Sequence, residues 1–204
     1  MRHSDLPRKA SGGVDCSLVS TLETATTGRA KCRGCGEPIA RGDERLGARL
    51  PNPYGDGEMT LWFHPVCGAY KRPEAMRAAL DALGAADAKH AGLAEIARTG
   101  VGHARAQRLD GAERAPSGQA RCRSCRTAIT KGAWRARLVF FDEGGHFTSG
   151  GFVHLECVRA YCEMESEEDM GQVLDRLVHF SPALAAPDVD ALRVALNAEK
   201  PSES

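Results

Sequence analysis

The chain has 204 residues in which 27 Lys and Arg balance 27 Asp and Glu, and this zero net charge argues against a generic polycation that coats nucleic acid. Aromatic residues make up only 5% of the chain, too few to fill a large core, so any small domain here is expected to need a staple. No apolar run approaches ~18 residues, which argues against a membrane span, and the opening MRHSDLPRKASGG has no apolar signal region, so a soluble, intracellular protein is expected.

Taken in chain order, residues 18–25 read as a short extended segment that leads into Cys32-x2-Cys35. A strand follows over residues 45–50, then a Gly-rich loop, then a strand over residues 61–63 that ends at His64. A helix is predicted from Pro65 to about Leu83 with a break near Pro73, and another from about His90 to Arg98. Residues 99–118 are Gly-rich with few large apolar side chains and include the expected linker.

The series then starts again. Residues 109–115 read as extended, Cys122-x2-Cys125 follows, and strands are predicted over residues 134–141 and 151–153, the second ending at His154. Helices are expected over residues 154–164, 169–177 and 188–197. Met76, Ala79, Leu80 and Leu83 share a helical stripe, and so do Met170, Val173, Leu174 and Leu177. Because the connections are too short for crossovers, the strands should pair antiparallel. The expected fold is α+β: two small stapled domains, residues 15–98 and 107–198, each a short antiparallel sheet with C-terminal helices.

The staple is written in the cysteines. Cys32, Cys35, His64 and Cys67 recur 90 residues later as Cys122, Cys125, His154 and Cys157, a C-x2-C followed by H-x2-C in each copy. Three thiolates and one imidazole suit zinc and fill a tetrahedron, so both sites read as structural, and two Zn2+ per chain are expected. With no position left for an activated water and no other catalytic constellation, the chain is not read as an enzyme. Gly28, Ala30, Ile39, Gly42 and Arg45 also recur, as Gly118, Ala120, Ile129, Gly132 and Arg135. Cys16 and Cys162 lie outside the repeat and read as free thiols, and His3, His90, His103, His146 and His179 as scattered surface histidines.

The segments TGRAKCRGCGEPIARGDERLGARL with LWFHPVC, and SGQARCRSCRTAITKGAWRARLVF with GFVHLEC, resemble the PARP-type zinc finger, the nick-sensing module of poly(ADP-ribose) polymerase and DNA ligase III. The resemblance covers about forty residues per copy and implies sequence-independent binding of DNA strand breaks, whether nicks or ends, with arginines on phosphate and loop residues on an exposed base pair. Carried over by position, it implies DNA contacts from Arg29, Lys31, Arg33, Arg45, Tyr54, Met59 and Leu61 in the first copy. Arg121, Arg123, Arg135 and Phe147 are the counterparts in the second, where Gln119 replaces the arginine that precedes the knuckle. The expected role is a break sensor that recruits or regulates a separately encoded DNA ligase or other repair enzyme.

Charge is unevenly spread along the chain. Residues 29–72 carry eight basic and five acidic groups, residues 118–162 seven and three, and residues 163–204 three and ten. The acidic run over residues 163–169 reads as a solvated helix start. Abundant Ala, Gly and Arg suggest a GC-rich bacterial genome, hence the cytoplasm and nucleoid, or the nucleus if the source is eukaryotic. The competing expectation is a zinc-finger protein–protein interaction module without DNA binding, which net neutrality would suit.

Overall fold

The computed structural model describes residues 20–84, 88–142 and 144–197. Cys16, His3 and the ends of the chain lie outside the described residues. In the first half, β1 (Thr21–Thr24), β2 (Glu44–Pro51) and β3 (Glu58–Phe63) form an antiparallel sheet in chain order, with Leu46 opposite both Leu22 and Phe63. In the second half, β4 (Leu109–Arg114), β5 (Trp134–Phe141) and β6 (Phe147–His154) repeat it. The 90-residue offset holds even in register: Glu23 pairs with Arg45, and Glu113 with Arg135. The fold is therefore α+β, two small three-stranded antiparallel sheets each followed by helices.

Prolines set the helix boundaries in the first half. Pro65 opens α1 (Pro65–Lys71) and Pro73 opens α2 (Pro73–Ala82), each at a position where its missing N–H leaves no bond unmade. Residues Ala91–Gly102 form α3, longer than its periodicity indicated. The second half lacks those prolines. A 3-10 turn (Leu155–Cys157) runs into α4 (Val158–Cys162), which Glu163 ends in a left-handed conformation at φ 56°. Ser166 caps α5 (Glu167–His179), accepting from the N–H groups of Glu168 and Asp169, and Glu167, Glu168 and Asp169 of the acidic run sit in its first turn, where the helix dipole favours them, while Glu163 and Glu165 precede it. The last helix is α6 (Ala186–Asn197).

Ile39, Leu46, Phe63 and Met76 fill the first core; Leu109, Ile129, Leu138, Val153, Leu155, Leu177 and Leu192 fill the second. Both helical stripes point inward except Leu83, which is 49% exposed because α2 ends at Ala82. Cys162 is buried, and that burial pushes its thiol up to about 12, so it stays protonated. No helix among the described residues is long and apolar enough to cross a membrane.

The connection between the halves is shorter than expected. With α3 ending at Gly102 and β4 starting at Leu109, it spans residues 103–108 and is pinned: Ala106 is buried and Arg105 donates to the Tyr161 carbonyl at 3.2 Å. The halves also share a core, because Phe180, just after α5, belongs to the first cluster. Arg176 on α5 is fully enclosed, donating to the carbonyls of Tyr70, of Leu109 (2.6 Å) and of Gln107 (2.5 Å). Lys71 of α1 pairs with Asp110 of β4 beneath Phe180.

Candidate metal centres and nucleic-acid interface

Each C-x2-C knuckle is held beside its sheet by backbone bonds. The Arg33 N–H donates to the Trp62 carbonyl at 2.8 Å, and the Arg123 N–H to that of Phe152 at 2.9 Å. The last strand delivers the histidine and the helical turn after it delivers the third cysteine. As a result the ligand atoms of Cys32, Cys35, His64 and Cys67 lie within 4.8 Å of one another, and so do those of Cys122, Cys125, His154 and Cys157. Each set could hold one metal ion.

The surroundings fit a metal-bound thiolate. Cys32 Sγ accepts N–H bonds from Gly34 and His64 at 3.3 Å, and Cys122 Sγ from Ser124 and His154 at 3.4 Å. His64 donates Nε2–H to the Pro38 carbonyl at 3.2 Å, leaving Nδ1 at 3.4 Å from Cys35 Sγ. His154 does the same with Ala128 at 3.3 Å, its Nδ1 3.4 Å from Cys125 Sγ. Such a carbonyl fixes the tautomer and orients the ring. Hydrogen bonding from Cys67 pulls the Cys32 thiol down, and the same hydrogen bond, with burial and the Cys32 charge, pushes Cys67 up. A cation would relieve that crowding and hold all three sulfurs as thiolates.

The expected DNA-contacting residues separate into two groups. Arg29, Lys31, Arg33, Arg121 and Arg123 are exposed around the knuckles. None of them has a carboxylate within ion-pair distance among the described residues. Arg33 donates to the Gly145 carbonyl across the halves and Arg123 to that of Gly150, so their head groups are oriented without being neutralised.

The strand arginines sit differently from those at the knuckles. Arg45 is 8% exposed, donates to Glu23 Oε1 from Nε at 3.2 Å and Nη2 at 2.7 Å, and lies 3.5 Å over the Trp62 ring. Arg135 is 5% exposed, bonded to Glu113 and 3.4 Å over Phe152. Both forks clamp the first strand to the second instead of facing outward. The partners Glu23 and Glu113, and the rings Trp62 and Phe152, follow the same 90-residue offset, so the signal for these clamps was present in the sequence.

The loop residues divide in the same way. Leu61 is 7% exposed, and Phe147 packs edge-on to Phe63 at 6.4 Å and tilted on Phe141 at 5.1 Å. Leu61 therefore helps seal the contact between the halves, and Phe147, half-buried, packs along it. Gly145, at φ 78°, lets this contact close, since a Cβ there would lie 2.9 Å from Leu61 and 3.0 Å from Met59. Tyr54 remains 78% exposed on the first loop, its hydroxyl beside Gly144 of the second. The two loops thus meet at one place with a single projecting aromatic ring.

The histidines are less scattered than expected. His90 is 8% exposed against Glu44, His103 faces Asp169 at 3.5 Å and His146 faces Asp142 at 3.5 Å. His179 contacts a proposed metal ligand, with Nε2 3.1 Å from Cys67 Sγ. Nothing in local spacing announces that contact, which spans 112 residues.

No family model matches the chain. It is similar to poly [ADP-ribose] polymerase of Drosophila melanogaster, 26% identical over 171 residues, and to that of Sarcophaga peregrina, 28% identical over 165 residues. The alignments cover 76% and 71% of this chain but only 17% and 16% of those proteins, so the chain spans about a sixth of the length of the curated relatives it matches. Both relatives are insect proteins, which lends no support to the bacterial source expected from composition.

Proposed function

We propose that this chain is a pair of PARP-type zinc fingers, over residues 15–98 and 107–198, that binds DNA strand breaks without sequence preference. Each Cys3His set holds a structural Zn2+ that fixes a knuckle, and each knuckle presents a basic cluster to the sugar–phosphate backbone. The observation that carries the reading is the sorting of the basic residues. The strand arginines pair with carboxylates, whereas Arg29, Lys31 and Arg33, with Arg121 and Arg123, stand exposed beside the two Cys3His sets with no carboxylate at ion-pair distance among the described residues. Guanidinium forks suit two-point phosphate contacts, and such contacts carry no sequence information.

Selectivity for a break comes from shape. Tyr54 at the meeting of the two loops is available to cap a base pair that intact duplex keeps stacked, and a cut strand lets the duplex bend toward both fingers cheaply. The similarity to part of poly(ADP-ribose) polymerase supports this reading. The chain then serves as a sensor that recruits or regulates a separate repair enzyme, such as a ligase.

Fluorescence anisotropy with nicked, blunt-ended and intact duplexes of one sequence, with and without chelator, tests the proposal. Affinity for the nicked duplex should exceed that for the intact one by roughly tenfold or more and fall steeply with salt. Equal affinities would reject it.

A further inference from the structure

On the seam between the halves lies a cleft of about 380 Å³ whose floor and walls are arginines laid on phenylalanines. Arg72, at the end of α1, holds its guanidinium 4.1 Å over Phe141, and Arg108, at the end of the connection, holds its own 5.0 Å over Phe140. Neither has a carboxylate within ion-pair distance among the described residues, and Arg72 Nε is shielded from solvent without a hydrogen-bond partner. Phe140 remains 40% exposed at the cleft. Glu74 at the wall accepts from Gln107 Nε2 at 2.8 Å, and its carboxylate interacts with Arg72 across the cleft, leaving the cleft net positive with Arg108. Lys71, which also lines the cleft, is neutralised by Asp110.

Two fixed positive charges interleaved with flat rings call for a ligand that is anionic and aromatic at once. A duplex is too wide to enter a cleft of this volume, whereas one nucleotide of a single strand supplies a base for Phe140 and a phosphate for Arg72 and Arg108. The cleft opens where β5 ends and β6 begins, beside the loop whose Gly144 meets Tyr54, so an unpaired strand leaving a break capped there would pass close to it. We propose that this seam binds an unpaired nucleotide of DNA, so that the breaks preferred are those carrying a short single-stranded flap or gap. This rests on the strand-break reading above and names its substrate class.

The test uses the full zinc-loaded chain, three labelled DNAs (a nicked duplex, the same duplex with a five-nucleotide flap at the nick, and a single strand), and the variants Phe140→Ala and Arg108→Gln. Thermal melts check that each variant is folded. The wild type should bind the flap substrate roughly fivefold or more tighter than the nick, and each variant should lose that advantage while keeping nick affinity. Equal binding of flap and nick, or an advantage that survives both substitutions, would overturn the proposal and leave the strand-break reading intact. Binding of the single strand that depends on Phe140, with no binding of the nicked duplex, would uphold the cleft and reject that reading. Binding of none of the three would reject both.

Discussion

His179 Nε2 lies 3.1 Å from Cys67 Sγ, so a ring at the end of the second unit's α5 touches a proposed metal ligand of the first unit. The same ring leans on Tyr70, centroids 5.6 Å apart, and on Phe180 at 4.8 Å. A metal held at the first site would therefore be coupled to the docking of α5, and coupling of that kind is reciprocal.

Removing the ring should loosen one ion of the two. His179→Ala is expected to weaken zinc retention at the first site by about 10- to 100-fold, the usual cost of losing a group that steadies a ligand. Titration with a chromophoric chelator should then release one equivalent early and leave the other unchanged. Release curves identical to those of wild type would show that the contact does not steady the sulfur.

Arg45 and Glu23 should behave as a stability pair. Because Glu23 is 42% exposed, the coupling is modest, and a double-mutant cycle with Arg45→Ala and Glu23→Ala is expected to give about 1 kcal/mol in urea unfolding. DNA affinity measured on the folded fraction should fall less for Arg45→Ala than for Arg33→Ala. The opposite ranking would return Arg45 to the phosphate-contacting set.

Arg176 holds three carbonyls, those of Tyr70, Gln107 and Leu109, from both halves. Burial pulls its guanidinium down to about 10, still charged at neutral pH, so the donors are intact there. Arg176→Leu leaves these carbonyls without their donor and is expected to cost about 3 kcal/mol. Limited proteolysis should then cut within residues 103–108. A loss well under about 1 kcal/mol would mean that the halves dock without it.

Lys71 supplies a pH signature. Burial, reinforced by the nearby Arg176 charge, holds its ammonium down to about 8 against an ordinary 10.5, despite the pairing with Asp110. Below about pH 8 both folded and unfolded chains carry the proton and the folded state bears the burial cost. Between about 8 and 10.5 the unfolded chain binds more protons, so stability rises with pH. Relative to Lys71→Met, the wild-type urea midpoint should increase from about pH 7.5 to about pH 9.5. A constant difference would show that Lys71 keeps its ordinary affinity for the proton.

The repeat alone determined the two sheets, the two knuckles and the eight side chains that converge on them, because a C-x2-C turn, a strand ending in histidine and a cysteine one helical turn later are local constraints that each copy satisfies within about 40 residues. It also held, unread, the clamps Glu23–Arg45 and Glu113–Arg135, since each is a cross-strand pair fixed by register. Only the tertiary structure decided which arginines are free, which loop residues are buried, and that the halves share Phe180, Arg176 and His179. Those outcomes depend on contacts spanning 67 to 112 residues, where burial of one half's aromatic and charged groups against the other overrides what position within a copy would suggest.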